Sequence, residues 1–365
     1  MERLRELNFE DMEHVARGAA FLGTGGGGDP YIGQLLAELS VREAGPVKVL
    51  SVSEVDPSWL ILPIAYMGAP TVAVEKLVDV DALELAFSSL EKQVGRQADA
   101  VVSAEMGGCN SMIPITLAAR RGLPLIDADG MGRAFPELPM TTFNIHGISC
   151  TPLVLANEHG ESAIFNSRDV PTAEAFARQL VVQMGGSVAM GCYAMSGSEL
   201  KRSSVPGTLS AALQIGRAIA EGRRQGNPLE RLLAYLTASP HYGECGVLFE
   251  GKIVDVRRET QSGFATGSID VEGFGPSTHR AQVDFQNEYL VLRSGDEVKA
   301  IVPDLICILD SDSAEPITTE GLRYGQRISI VGVGAPDVLL TRKALSIVGP
   351  RNFGLPDEYH PIQFT

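Results

Sequence analysis

Cysteine is scarce and poorly placed for a framework. The 365 residues hold five (Cys109, Cys150, Cys192, Cys245, Cys307), an odd number with no CxxC spacing. That pattern suits reduced thiols and argues against a disulfide scaffold or a four-cysteine zinc knot. Basic residues are outnumbered, 30 Lys plus Arg against 45 Asp plus Glu, for a net charge of −15, and Arg223-Arg224 and Arg257-Arg258 are only isolated pairs. A nucleic acid needs a basic footprint, and so does an anionic membrane, so neither is an expected partner. Long apolar runs are missing too: Trp59-Leu60-Ile61-Leu62-Pro63-Ile64-Ala65 falls far short of the roughly 20 residues of a spanning helix. The start, Met1-Glu2-Arg3-Leu4-Arg5-Glu6, carries mixed charges and no apolar segment of a secretory signal. Together these absences set the expectation of a soluble, cytoplasmic, globular protein.

With 44% hydrophobic and 21% charged residues the chain can bury a core, and its length favours about two domains. The reading divides it at 1–168 and 169–365. Phe9 to Leu22 has helical periodicity, with Asn8 and Asp11 spaced as a capping box, and stops at Gly23. A second helix starts at Pro30 behind Asp29, with Tyr31, Leu35, Leu36 and Leu39 as its expected buried stripe. Strands are expected at 47–52, 60–64, 100–104 and 125–127, and Pro63 argues against a central place for the whole second strand. Helices are expected at 80–93 and 110–121. This alternation predicts a three-layer α/β domain with a mostly parallel sheet and its ligand at the carboxyl ends of the strands. Helices at 172–184 and 207–221 follow, the latter with Leu209, Leu213, Ile215 and Ile219 inward. From about 246 to 335 short strands and turns predict a β-rich barrel or sandwich.

Four stretches could carry chemistry. Thr24-Gly25-Gly26-Gly27-Gly28-Asp29 satisfies GxGxxG through Gly23, Gly25 and Gly28, but a helix precedes it where a dinucleotide fold has a strand, and no Gly-Lys pair follows. What remains is a loop between helices whose bare amides could bind a carboxylate or developing negative charge, or a flexible turn. Glu105-Met106-Gly107-Gly108-Cys109-Asn110 follows a strand, and Cys109 at a helix start has the setting that favours a thiolate, against the plain alternative of a buried cysteine. Asp127 and Asp129, two apart after another strand, could hold a divalent cation or supply a base, or could be a cap and a turn residue. Lys201, with Arg202, could contact an anionic substrate group, with solvated surface charge the alternative; Arg133 follows the two aspartates, and His146 and His241 are the two histidines in plausible loops. No HExxH or close histidine pair exists, so a zinc site would need distant residues.

These motifs, in this order, resemble one family. Phe21 to Pro30, Glu105-Met106-Gly107-Gly108, Asp127 to Glu137, Pro206 to Ser210 with Ile215-Gly216-Arg217-Ala218, Pro303-Asp304-Leu305-Ile306 and Val348-Gly349-Pro350-Arg351 are similar to the S-methyl thiohydantoin desulfurase family, whose members often occur beside hydantoinase/oxoprolinase proteins. The resemblance covers nearly the whole chain. It implies an α/β N-terminal domain, a β-rich C-terminal domain, and hydrolysis of an S-methyl thiohydantoin to a hydantoin and methanethiol.

That reaction adds water to an amidine-like carbon, which calls for a base or a metal, and it pushes charge onto ring nitrogen. The expected catalytic set is Cys109, Asp127, Asp129 and Glu105. Substrate contacts are expected from Thr24, Gly25, Gly26, Gly27, Gly28, Asp29, Asn110, Arg133, His146 and Lys201. The cofactor is unknown, with a divalent metal as one option, and a homo-oligomer or a hydantoinase-like protein is the expected macromolecular partner. Two other readings stay open: a non-catalytic subunit of such a complex, and a nucleotide-dependent enzyme using the glycine loop.

Overall fold

The computed structural model describes residues 3–68, 76–261, 264–274 and 279–364. A 3-10 turn, Phe9–Asp11, leads into helix α1 (Met12–Leu22), and the capping box between Asn8 and Asp11 is formed as the sequence predicts. Gly23 to Pro30 then link α1 to α2 (Tyr31–Ala44), with Asp29 Oδ1 accepting the Tyr31 N–H at 2.8 Å. The expected stripe of α2 is wrong. Tyr31, Leu35 and Leu39 are exposed, and the buried face is Gly33, Ala37, Ser40 and Val41. Closeness decides this: a Cβ on Gly33 would lie 2.9 Å from Met112 Cβ and 3.0 Å from Cys109 Sγ, so the small residues must face inward.

The first sheet runs β1 (Glu6–Leu7), β2 (Val47–Leu50), β5 (Leu125–Ile126), β4 (Ala100–Ser103), β3 (Leu60–Gly68), β9 (Ser187–Gly191), β7 (Leu153–Ala156), β8 (Ser162–Phe165), with β10 (Met195–Ser196) also on β3. The pairs β2–β5, β5–β4 and β4–β3 are parallel, and the outer pairs are antiparallel. Pro63 therefore sits in a central strand, against expectation. It is tolerated because β10 pairs only with Leu60 and Ile61 and β9 begins at Ile64, so neither antiparallel neighbour pairs with Pro63, which has no N–H to offer.

Successive residues of β3 and β4 enter two cores on opposite faces. Leu62, Ile64 and Val101 join α1, α3 (Val80–Val94), α4 (Ile113–Arg121), α8 (Thr208–Gln225) and α9 (Pro228–Ala238). Ile61, Ala65, Ala100 and Val102 join α5 (Thr142–Ile145), α6 (Val170–Gln183) and α7 (Gly197–Ser203). Strands covered on both faces read as continuous apolar runs, as these do. Leu209, Leu213, Ile215 and Ile219 of α8 are buried as expected. Glycines bring α8 against α1: a Cβ on Gly18 would overlap the Ala212 backbone.

The second sheet is antiparallel and curls into a half-barrel, in the order β16 (Glu297–Ile301), β15 (Glu288–Ser294), β14 (Arg280–Gln286), β13 (Phe264–Gly273), β12 (Cys245–Gln261), β18 (Arg327–Val333), β17 (Leu305–Asp310). Not all of its strands are short: β12 runs for 17 residues, with register shifts near Val247 and Ile253, and Gly251 lets it lie close to Glu272. A further apolar cluster joins the two sheets: Met131, Phe135 and Ile145 pack with Leu290, Val291, Val302 and Val348 of the C-terminal part, the last in α10 (Arg342–Val348). All five cysteines are unpaired. Among the described residues no helix is long and apolar enough to cross a membrane.

Candidate functional site

A cavity of ≈ 340 Å³ opens at the carboxyl ends of β3 and β4, where an α/β sheet places a ligand. Ala65 to Gly68, Glu105, Cys109 and Asn110 form its α/β wall, Phe135 to Leu138 its floor, Glu174 and Arg178 of α6 one side, and Asn287 and Glu288 the lip from the second sheet.

Glu105 lies two residues beyond the end of β4 and is 7% exposed. Its Oε1 accepts a hydrogen bond from Asn110 Nδ2 at 2.7 Å and its Oε2 one from the Phe135 N–H at 3.3 Å. Burial pushes its carboxyl up to about 7, against the pull of those two donors. Asn110 is itself fixed, since its Oδ1 accepts the Tyr66 N–H and its Nδ2 also donates to Tyr66 O.

The glycine run behaves differently along its length. Thr24, Gly25 and Gly26 are buried and do not line the cavity. Thr24 O accepts the Tyr289 N–H at 2.7 Å, and Gly25 O the Thr319 N–H at 2.9 Å. A Cβ on Gly25 would lie 2.6 Å from the Tyr289 ring, and one on Gly26 would overlap Glu288 Oε1. These glycines let the half-barrel approach the backbone, so this part of the loop is not an open phosphate cradle. Gly27 and Gly28 do line the cavity, both in the left-handed region at φ +73° and +76°. Their carbonyls accept the Cys109 N–H, and among the described residues their own N–H groups have no acceptor. Asp29 is at the exposed rim.

Cys109 is on the wall, but as a thiol. Burial pushes it up to about 12, Asp29 and Glu105 add to the rise, and a hydrogen bond from the Gly33 backbone only partly offsets it. Burial thus opposes the thiolate expected at a helix start, and that start is a four-residue 3-10 turn whose Cys109 N–H is already taken by the glycine loop.

Asp127, Asp129, Arg133, His146 and Lys201 are not on the cavity wall. Asp127 accepts from the N–H and hydroxyl of Ser210, anchoring the start of α8. Asp129 is fully buried and accepts the Met131 and Gly132 N–H groups at 3.0 and 2.8 Å, closing the turn after β6 (Ala128–Asp129). The two carboxylates thus serve the chain on either side of that strand, in the cap-and-turn roles the sequence left as their alternative. Arg133 is fully buried and ties the halves together, donating to Thr24 Oγ1 at 2.6 Å and to the Pro303 and Asp304 carbonyls at 2.9 Å. His146 and Lys201 are exposed. Among the described residues no group of three or more His, Cys, Asp or Glu side chains could hold a metal ion, so the residues present do not fit one.

The structure adds residues that sequence reasoning missed. Glu288 is 2% exposed, its Oε2 has no partner, and burial together with Glu105 pushes its carboxyl well up. The sequence signal was slight: a polar pair, Asn287-Glu288, interrupts apolar alternation between two strands. Glu174 and Arg178 read as an ordinary i,i+4 helix pair. Here Glu174 Oε1 accepts from Arg178 Nε at 2.5 Å, while Oε2 accepts the Leu138 N–H at 3.0 Å and so positions the cavity floor.

The comparisons agree with the architecture. The S-Me-THD-like N-terminal domain matches residues 10–167 and the S-Me-THD-like C-terminal domain residues 167–362. A crystal structure of a protein from Chromobacterium violaceum superposes with a TM-score of 0.82 at 25% identity, covering 99% of this chain and 100% of that one. No curated protein matches the sequence. The two domain matches together span nearly the whole chain, which therefore belongs to the S-Me-THD-like family, the family of S-methyl thiohydantoin desulfurase-like proteins.

Proposed function

We propose that the protein is a hydrolase of small cyclic amidine-like rings, converting an S-methyl thiohydantoin and water to a hydantoin and methanethiol. The observation that carries this reading is Glu105: a carboxyl held by Asn110 and the Phe135 N–H on the wall of a cavity of ≈ 340 Å³, roomy enough for a small ring and its substituents, with its titration moved to about 7. A base that titrates near the working pH can both take and return a proton.

In this mechanism water oxygen bonds to the ring carbon bearing sulfur, and its proton passes to the Glu105 carboxylate. The electron pair of the C=N bond moves onto ring nitrogen. When the pair returns, the C–S bond breaks, and methanethiolate leaves with the proton that Glu105 held. The hydroxyl proton left on carbon moves to ring nitrogen, giving the hydantoin. The Gly27 and Gly28 N–H groups are donors on the same wall for a ring oxygen or nitrogen. Cys109 supplies shape rather than a nucleophile, since a thiol raised to about 12 is protonated near neutrality.

The test is release of free thiol from S-methyl thiohydantoin by the purified protein, with hydantoin formed in equal amount. Glu105→Gln should lower turnover by about 10²- to 10⁴-fold while leaving the fold intact. Absence of thiol release by the native protein, or full turnover by the variant, would end this reading.

A further inference from the structure

We propose that Glu288 is a second catalytic carboxyl, donating its proton as a hydrogen bond to the ring nitrogen that collects charge while Glu105 handles the water. This rests on the ring-hydrolysis reading above and names the electrophilic partner that reading leaves unassigned.

Geometry argues for it first. Glu288 opens β15, directly after Asn287, which turns the chain between β14 and β15 at φ +59°. That turn is pinned on three sides: Asn287 Oδ1 accepts the Ala265 N–H at 2.9 Å, the Asn287 N–H donates to Ala265 O at 2.8 Å, and Asn287 O accepts from Thr319 Oγ1 at 2.9 Å. The carboxyl it delivers lines the same cavity as Glu105, from the opposite sheet. Its Oε1 lies where any Gly26 side chain would be, so the glycine loop makes room for it. Its Oε2 is buried with no protein partner on a residue that lines the cavity, and an unpaired buried polar atom there is one that a ligand would complete.

Charge supplies the second argument. The charged groups that act on Glu288 are Glu105, Arg133 and Arg178. Burial and Glu105 oppose its ionisation, while the two arginines favour it. Neither arginine forms a salt bridge with it among the described residues; Arg133 donates to carbonyls and Thr24, and Arg178 to Glu174 and Pro136 O. Two buried carboxyls facing one cavity do not readily ionise together, so the pair loses one proton near neutrality and the second only at higher pH. Glu105, held by two donors, takes the charge, and Glu288 keeps its proton. In the addition step the pair of the C=N bond moves onto nitrogen against the Glu288 O–H. In the collapse it returns, and Glu288 ends with the proton it began with.

The experiment measures hydantoin affinity by calorimetry, and thiol release from S-methyl thiohydantoin, between about pH 6 and about pH 9. Native protein, Glu288→Gln, Glu288→Ala and Gly26→Ala are compared. The Gln amide keeps a donor that cannot ionise, so Glu288→Gln should bind hydantoin within about threefold of native protein near neutrality and hold that affinity at alkaline pH, where the native protein weakens. Glu288→Ala should bind about tenfold more weakly throughout. Gly26→Ala, which displaces the carboxyl without removing it, should fall between. If thiol is released but Glu288→Ala alters neither affinity nor turnover, the Glu288 assignment falls and the desulfurase reading stands. If hydantoin binds in the expected pattern but no thiol is released, the reading falls and the donor role stands. No hydantoin binding by the native protein overturns both.

Discussion

Asn110 grips Glu105 with one side of its amide and strand β3 with the other: Nδ2 donates to Glu105 Oε1 at 2.7 Å and to Tyr66 O at 3.0 Å, while Oδ1 accepts the Tyr66 N–H at 2.8 Å. The residue fixes where the carboxylate stands, and it also stabilises the ionised form. Burial raises the Glu105 carboxyl, and the Asn110 donor is the largest of the opposing influences.

Removing that donor should therefore move the acid limb of the rate profile. In native protein thiol release should rise with pH through about 7 as the carboxylate forms. Asn110→Ala should shift this limb to higher pH, so the loss is greatest below neutrality and shrinks above it. A pH profile of kcat checks this. An unshifted limb with a uniform loss would reduce Asn110 to a packing residue.

Cys109, half-buried on the cavity wall, should react as a poorly ionised thiol. With its titration pushed up to about 12, alkylation by iodoacetamide should be slow near neutrality and should keep accelerating well above pH 9, the range in which an ordinary thiol is already largely ionised. Cys109→Ser should keep turnover within about tenfold of native, as expected for a wall residue that forms no covalent intermediate. Fast alkylation near neutrality, or a dead serine variant with a native melt, would restore the nucleophile that the sequence suggests.

Part of the order of helices and strands was legible where an element follows a local pattern: the Asn8–Asp11 capping box, the inward face of α8 and the apolar bursts of β3 and β4 form where the sequence places them, whereas β7, β8 and β9 were not legible. Errors arose where packing outweighed pattern. Leu35 and Leu39 of α2 face outward because Gly33 must meet Cys109 and Met112, and Pro63 is central because its missing N–H falls in the gap between β10 and β9. In the site, Glu105 and Asn110 were legible since a strand end followed by glycines is a local signal. Glu288 was not, because its role depends on a hairpin from the other sheet reaching the same cavity. Asp127 and Asp129 lie off the cavity wall, and two acidic residues after a strand read alike in sequence whether they face a ligand or cap and close a turn.

Neighbouring glycines of the loop should differ sharply in tolerance. Gly27 and Gly28 are both left-handed, so a side chain at either carries a backbone cost of about 1–2 kcal/mol. A Cβ on Gly27 would also overlap the Gly107 carbonyl, whereas one on Gly28 meets only Cys109 Cβ, at 3.8 Å. Gly27→Ala should lower the melting temperature more than Gly28→Ala and should alone disturb the Cys109 turn. Equal melts would mean that the two loops are not in backbone contact.

Asp129 gives the most direct separation of structure from catalysis. It is fully buried, and burial raises its carboxyl from 3.8 to about 7 despite the Met131 and Gly132 N–H donors. In the unfolded chain it ionises near 4, so between about pH 4 and about pH 7 folding takes up a proton. Because the native state binds more protons in that window, the Asp129 contribution to stability is complete below about 4 and is lost as pH rises towards about 7. In Asp129→Asn the side chain does not titrate, and its amide oxygen can still accept both N–H groups of the turn. Urea unfolding of this variant should therefore show a shallower fall of stability across the window, by up to about 1.4 kcal/mol per pH unit. Glu105 and Glu288 add falls of the same sign in both proteins and cancel in the difference. Because Asp129 is off the cavity wall, the folded variant should release thiol at the native rate. An unchanged slope would mean that Asp129 is ionised in the native fold, and loss of turnover in a stable variant would return it to the catalytic set.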